Sequence, residues 1–439
     1  MVDALLAAPV IVKVLGALSI ILVMNRLCRH LIVSVAVATL VLALWCGHSA
    51  PAMAVIAWQR FFSIRTLSLT VIVFEVIWLS SQMSATGVMG DLVNAVRSRV
   101  SRRGAVAVLP AVIGLLPMPG GALFSAPLVD SVDTDDSMPA GLKTQANHWF
   151  RHIWEYWWPL YPGVLLAMEL TGLDVWQFML LGIPLSLCAV AAGYVFLLRR
   201  IPAGEAHGAP VHSEASARLL PLMLPIIVVI VGYAVVRLAY AGVRLAWPDA
   251  PAMNRYIPMA VGLVAAMLVL QRERPLGRIG WREILLSNRA LNMAAIVATV
   301  SVYGAFIEAR LPGGGSLVAQ MRADMADWGI PFIAIVMLLP LVSGLATGLA
   351  IGFVGASFPI VISLLGDAPP MGVLLSTTVL AYGFGFAGML LSPVHVCLIV
   401  GSEYFKTRVL ANAAGLLKPI AIVLAASLAY HLLLSWLAG

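Results

Sequence analysis

The chain has 439 residues, of which 61% are hydrophobic and only 11% charged, with a net charge of +7 and a mean hydropathy of +0.98. Soluble domains run nearer half apolar and a quarter charged, so this composition excludes a soluble globule and predicts an all-α polytopic membrane protein. No basic stripe is interleaved with aromatics, so the positive charge reads as loop charge that orients the chain in a bilayer, and no nucleic-acid partner is expected. Cys28, Cys46, Cys188 and Cys397 are isolated in apolar segments without metal or redox spacing, and neither a metal centre nor a cofactor is expected.

In chain order, the stretch from Met1 to Leu5 lacks the cationic start of a signal peptide and is expected to stay attached as part of the first span. A spanning helix needs about 20 apolar residues. On that criterion spans are predicted near 5–24, 31–47, 67–86, 153–171, 174–198, 219–243, 256–270, 290–309, 371–397 and 409–436, about ten in all. The segments 53–65, 87–103 and 315–328 are amphipathic and are expected to lie along the membrane surface. Two further apolar runs are interrupted. Near 105–129, Leu116 to Pro127 packs Pro117, Pro119, Gly120 and Gly121 ahead of Ser125. Near 331–360, Ser343, Gly344, Thr347 and Gly348 are followed by Gly352, Gly355, Ser357 and Pro359. Pro and Gly at this density end a helix, and broken backbone is tolerated in hydrocarbon only where protein or a watery cavity satisfies it. Both runs are therefore predicted to be re-entrant helical hairpins.

The soluble-looking linker 199–218 separates an N-terminal repeat, 1–198, from a C-terminal repeat, 219–439. Placing both termini outside puts most of the 27 Lys and Arg in cytoplasmic segments, among them Arg102, Lys143, Arg151, Arg199 and Arg289. The hairpins then open to opposite sides, as an inverted repeat requires. Each hairpin is followed by a Pro-broken span, Trp157 to Pro162 in the first half and Leu391 to His395 in the second.

The strings Leu116 to Pro127, Trp154 to Pro162, Leu391 to Leu398 and Glu403 to Phe405 resemble those of a family of prokaryotic integral membrane proteins catalogued as a domain of unknown function and grouped with the ion transporter superfamily. The resemblance covers nearly the whole chain. It implies an inverted-repeat transporter with two re-entrant hairpins, a homodimer in the prokaryotic cytoplasmic (inner) membrane, and a transport domain that slides like an elevator against a scaffold. The chain lacks the paired Ser-Asn-Thr hairpin tips of sodium-coupled dicarboxylate relatives, so the resemblance does not carry over that substrate or that ion.

Several residues are candidates for a substrate site. Gly120, Gly121 and Ser125 at the first hairpin can present backbone amides and a hydroxyl to an anion; the bland alternative is close helix packing by glycine. Ser343, Thr347 and Ser357 stand in the equivalent place in the second hairpin. Trp158, Tyr161, Ser392 and His395 sit at the Pro-broken points, where freed carbonyls need partners or a ligand. His395 and Glu75 are intramembrane ionisable groups, hence candidates for coupling to a proton or sodium ion; a hydrogen-bonded core histidine and an interface carboxylate are the alternatives. Asp130, Asp133, Asp135 and Asp136 read as a solvated loop, and Glu155 as a local ion pair with His152 or Arg151. Fixed intramembrane cations look scarce, so hairpin dipoles and hydroxyls are expected to hold the anion.

The function expected from these readings is a secondary active transporter, a permease for a small organic anion, with lipids as its other partners. A cation/proton antiporter is the alternative within transport. A membrane-embedded enzyme or lipid-handling protein is the alternative of another class, disfavoured because no His-Glu-x-x-His, Gly-x-Ser-x-Gly or Walker A pattern occurs.

Overall fold

A computed structural model describes residues 8–97, 100–117, 121–202, 219–366 and 368–438. Among these the chain is helical throughout, with one isolated β-bridge between Arg310 and Ser316. The first half comprises α1 (Val10–Cys28), α2 (Leu31–Trp45), α3 (Ala50–Phe61), α4 (Ile64–Ala85), α5 (Val88–Arg97), α6 (Arg102–Gly114), α7 (Ala122–Asp130), α8 (Ala140–Arg151), α9 (Pro162–Thr171) and α10 (Val175–Phe196). The second comprises α11 (Leu219–Ala246), α12 (Ile257–Glu273), α13 (Arg278–Leu285), α14 (Asn288–Glu308), α15 (Leu317–Asp327), α16 (Phe332–Thr347), α17 (Ala350–Ser363), α18 (Met371–Leu391), α19 (Val396–Tyr404), α20 (Val409–Gly415) and α21 (Leu417–Ala438).

Seven of these helical segments, rather than ten, are long and apolar enough to cross a membrane; α15 and α16, bent by 111° at their junction, would make an eighth. The difference lies in the shorter elements. The predicted span 153–171 is helical only over Pro162–Thr171, about 15 Å of helix, which reaches half way through a bilayer core of about 30 Å. The preceding residues, 152–161, form turns, because Pro159 and Pro162 withhold the donors that a helix would need. The surface helix α3 buries none of its side chains. Most of the linker, 203–218, lies outside the described residues.

The two halves make reciprocal contacts. The pair α1 and α2 packs together, as does α11 and α12; α2 meets α14 while α12 meets α4; α1 meets α15 while α11 meets α5. At the centre α4 packs on α14. The short helix after the first break, α9, packs on α17, and the short helix after the second break, α19, packs on α7. In these pairs a contact made by one half has its counterpart in the other.

α16 and α18 approach backbone to backbone. A Cβ on Gly344 would run into the Gly385 carbonyl and stand 2.7 Å from the Met389 nitrogen. Small residues let helices meet this closely where lipid offers no hydrophobic drive for association. α18 is buried almost without interruption from Ser376 to Leu390, so it forms the axis of the core.

Two buried ionic clusters tie the elements together. Glu169, 3% exposed, accepts from Arg65, Arg255 and the Tyr256 hydroxyl, joining α9 to α4 and to the start of α12. Asp133 contradicts the solvated-loop reading. Its side chain is buried, it pairs with Arg102 and with Lys143 Nζ at 2.7 Å, and it accepts from the Ser137 and Met138 amides. Asp135 receives Arg102 at 3.1 Å, and Asp130 and Asp136 stand 3.1 and 3.2 Å from Lys143 Nζ. Removing one partner from a buried pair typically costs about 3–5 kcal/mol. Asp133→Ala is therefore expected to lower the unfolding free energy by about that much, read as a fall in the melting transition of the detergent-purified protein. The hydrogen bond from Arg102 holds the Asp135 carboxyl below the usual carboxylate range. Its stabilisation is present above the unfolded pKa and is lost as pH falls through the lowered folded value. Between pH 5 and 8 this tie is expected to contribute no slope to stability, which melting curves across that range would test.

Candidate functional site

The end of α6 leaves its last carbonyls without intrahelical donors, and the turns of 152–161 supply them. Trp154 Nε1 donates to Ala111 O at 2.8 Å, Trp158 Nε1 donates to Leu115 O at 3.0 Å, and the Tyr161 hydroxyl donates to Gly114 O. The end of α16 is served in the same way by the second break: Ser392 Oγ donates to Leu345 O at 2.6 Å and His395 Nδ1 to Gly348 O at 2.6 Å. The pairs Tyr161 with Gly114, Ser392 with Leu345 and His395 with Gly348 share a sequence separation of 47 residues. Gly348 is required twice over. Its φ of +63° suits glycine, and a Cβ there would stand 2.9 Å from the His395 nitrogen.

The two breaks meet each other. Gly163, just after the first, sits so close to the start of α17 that a Cβ would come within 2.6 Å of the Ala350 methyl. His395, from the second, faces His152, from the first, with their Nε2 atoms 3.0 Å apart. His148 completes a buried triangle of imidazoles whose ring centroids are 4.7–4.9 Å apart. His148 and His152 lie one helical turn apart at the end of α8, which puts them on one face.

A cavity of about 100 Å³ lies at this junction, lined among others by Pro117, Arg151, His152, Glu155, Tyr161, Arg289, Ala350, His395 and Cys397. Arg151 is 2% exposed. Its guanidinium rests on Gly121, where a Cβ would displace it, and its Nε donates to Cys397 Sγ at 3.4 Å. Arg289 donates to Pro117 O, and its Nε has no hydrogen-bond partner among the described residues. Glu155 Oε1 stands 3.7 Å from His152 Nε2. Two guanidinium groups therefore reach the cavity, contrary to the expectation that buried cations are scarce. Arg151 and Arg289 read as loop charge from sequence because each falls at the edge of an apolar run, but α8 carries Arg151 some eight residues inward from Lys143, about 12 Å along the helix.

The structure distributes the candidate residues unevenly. Tyr161 and His395 line the cavity. Gly121 backs it by seating Arg151. Trp158 and Ser392 brace the ends of α6 and α16, as described above. Ser125, Thr347 and Ser357 bond back within their own helices, to Gly121 O, Ser343 O and Phe353 O respectively. Ser343 Oγ is buried without a hydrogen-bond partner among the described residues, but it does not line the cavity. Gly120 lies outside the described residues. Glu75 is buried on α4 with Oε2 unpartnered among the described residues, away from the cavity lining. The residues of this site that the sequence reading passed over are Arg151, His152, Arg289 and Cys397 in the cavity wall and His148 beside them in the imidazole triangle. The signal for two of them was present, since His148 and His152 repeat at i, i+4 directly ahead of a Pro-broken segment.

These features define a polytopic helical membrane protein with two interrupted helix pairs meeting at a buried polar centre. The chain belongs to the family described as "Protein of unknown function (DUF401)", whose model matches residues 11–245 and 258–434. No curated protein matches the chain.

Proposed function

We propose that this protein is a secondary active transporter of a small organic anion that works by alternating access, with a proton or sodium as the coupling ion. The observation that carries this reading is the convergence of four interrupted segments on one buried cavity that holds two guanidinium groups. Interrupted helices at corresponding positions of two halves are the usual pointer to a transporter's site, and the cations select for an anion. The cavity is well below the roughly 300–1,000 Å³ of drug-sized pockets, which favours a solute of few heavy atoms.

In this reading the reciprocal contacts and the shared 47-residue spacing are the marks of two inverted repeats, and α6–α7 and α16–α17 are re-entrant hairpins. The protein is an elevator-type homodimer of the cytoplasmic membrane, with α1, α2, α11 and α12 in the scaffold. Uptake of a panel of small carboxylates into proteoliposomes tests the substrate class. Saturable uptake that a pH or sodium gradient accelerates is the expected result; no uptake under any gradient would remove the reading. The orientation has its own test on protein lacking Cys28, Cys46 and Cys188. Cysteines at the exposed positions Arg200 and Leu286 are expected to label from one side and at Trp247 from the other. Labelling of Arg200 and Leu286 from opposite sides would overturn the inverted arrangement.

One observation favours a cation/proton antiporter as the second reading, namely the buried Glu75, whose Oε2 has no hydrogen-bond partner among the described residues. Glu75→Gln should abolish coupled cation flux on that reading and leave anion uptake intact on the first.

A further inference from the structure

Each imidazole of the buried triangle has one nitrogen committed to a backbone carbonyl. His395 Nδ1 meets Gly348 O at 2.6 Å, His152 Nδ1 meets His148 O at 2.6 Å, and His148 Nε2 meets Leu390 O at 3.1 Å. A carbonyl only accepts, so these three nitrogens carry the hydrogens and act as donors. In the neutral ring the opposite nitrogens, His395 Nε2, His152 Nε2 and His148 Nδ1, then bear bare lone pairs. Two of them face one another at 3.0 Å, and the third is buried with no hydrogen-bond partner among the described residues. Opposed lone pairs repel, and an unmet buried acceptor is costly. A proton shared by His152 and His395 would relieve the first conflict and leave His148 Nδ1 unmet. A metal ion relieves all three.

We propose that His148, His152 and His395 bind a divalent transition metal ion of the Zn2+ class, with Cys397 as fourth ligand. One nitrogen from each ring lies within 4.8 Å of the others. Ligands about an ion at 2.0–2.1 Å stand roughly 3.4 Å apart, so the widest pair must close by about 1.4 Å, shared between its two rings. Cys397 follows His395 by two residues and lines the same cavity as His152 and His395. Carbonyl-anchored imidazoles are the outer-shell arrangement that orients metal-binding histidines, and an imidazole and thiolate set suits Zn2+ better than a hard cation. Arg151 also faces this cluster, and Cys397, as a thiolate ligand, supplies compensating negative charge. His148 and His152 come from the first half and His395 and Cys397 from the second, so the ion pins the two breaks together.

The test uses the full-length chain, free of any histidine tag and stripped with EDTA, titrated in detergent with Co2+ and then Zn2+. The expected result is one Co2+ per chain, with tetrahedral d–d absorption and a thiolate charge-transfer band, both displaced by Zn2+. Cys397→Ser removes the charge-transfer band and keeps the d–d absorption. His148→Gln, His152→Gln and His395→Gln each weaken binding about tenfold or more, with size-exclusion profiles reporting that the variants remain folded. Wild-type protein that takes up no Co2+ or Zn2+ overturns the site whatever the variants do. Affinity unchanged in His148→Gln also overturns it, and leaves the shared proton as the account of the histidine pair. Neither result bears on anion uptake, which is measured separately.

Discussion

Gly388→Val is expected to leave little folded protein in the membrane. A Cβ at Gly388 would run into the Leu341 carbonyl and stand 3.0 Å from the Leu345 nitrogen. Those obstacles are backbone atoms of α16, which cannot rotate aside as a side chain would. Opposite, Gly344 presses on Gly385 in the same manner, so α16 and α18 have no room to accept even a methyl group. Overpacking a core usually costs about 1–3 kcal/mol, and a collision of backbone with backbone belongs at or above the top of that range. The consequence reaches the cavity, because α18 runs directly into Ser392, whose hydroxyl holds Leu345 O. Separating the helices would withdraw His395 from Gly348. Thermal unfolding followed by fluorescence-detected size exclusion should show Gly388→Ala melting well below wild type, with Gly388→Val lower still or absent. A Gly388→Val protein that melts at the wild-type temperature would mean that the two helices are not packed this closely.

Arg151→Gln is expected to reduce binding of the transported anion by roughly a hundredfold or more while the chain still folds. Truncating one partner of a buried, hydrogen-bonded charge pair costs about 2–5 kcal/mol, and each 1.4 kcal/mol is a factor of ten in affinity. Gln can place an amide donor where Nε donates to Cys397, but it ends short of the guanidinium tip. What it removes is the charge and the planar fork that an anion would engage in two places. Arg151→Lys retains the charge without the fork and should fall between the two. Gly121→Ala offers a separate route to the same loss, since its methyl would occupy the place of the guanidinium. Equilibrium binding of the best-transported carboxylate, measured on folded variants, decides the matter. Wild-type affinity in Arg151→Gln would exclude Arg151 from the site and leave Arg289 as the remaining cavity cation.

The membrane class, the interrupted runs and the two Pro-broken points were legible in the sequence because each rests on local chemistry. A run of apolar residues is long enough to cross a bilayer or it is not, and Pro at 159, 162 and 393 interrupts a helix whatever surrounds it. The span count was less legible. Hydropathy registers an apolar stretch equally when it is one helix and when it is a turn followed by a short helix, so 152–161 passed as part of a span. Hydropathy also cannot rank charges. Arg151, Arg289, Lys143 and Asp133 look like loop residues from their neighbours, yet the fold buries three of them, Arg151, Lys143 and Asp133, and brings Arg289 to the cavity.

That this chain is a helical membrane protein broken at paired places can be read from residues alone, since hydrophobic length and backbone donors are properties of short segments. Which side chains those breaks bring together is set by the packing of the whole chain. His148, His152 and His395 lie up to 247 residues apart, and no local pattern states that α8 and α19 will pack side by side. Their meeting follows from the packing of α7, α8 and α19, from glycines that admit the backbone at Gly163 and Gly348, and from the need of every freed carbonyl in hydrocarbon to find a donor.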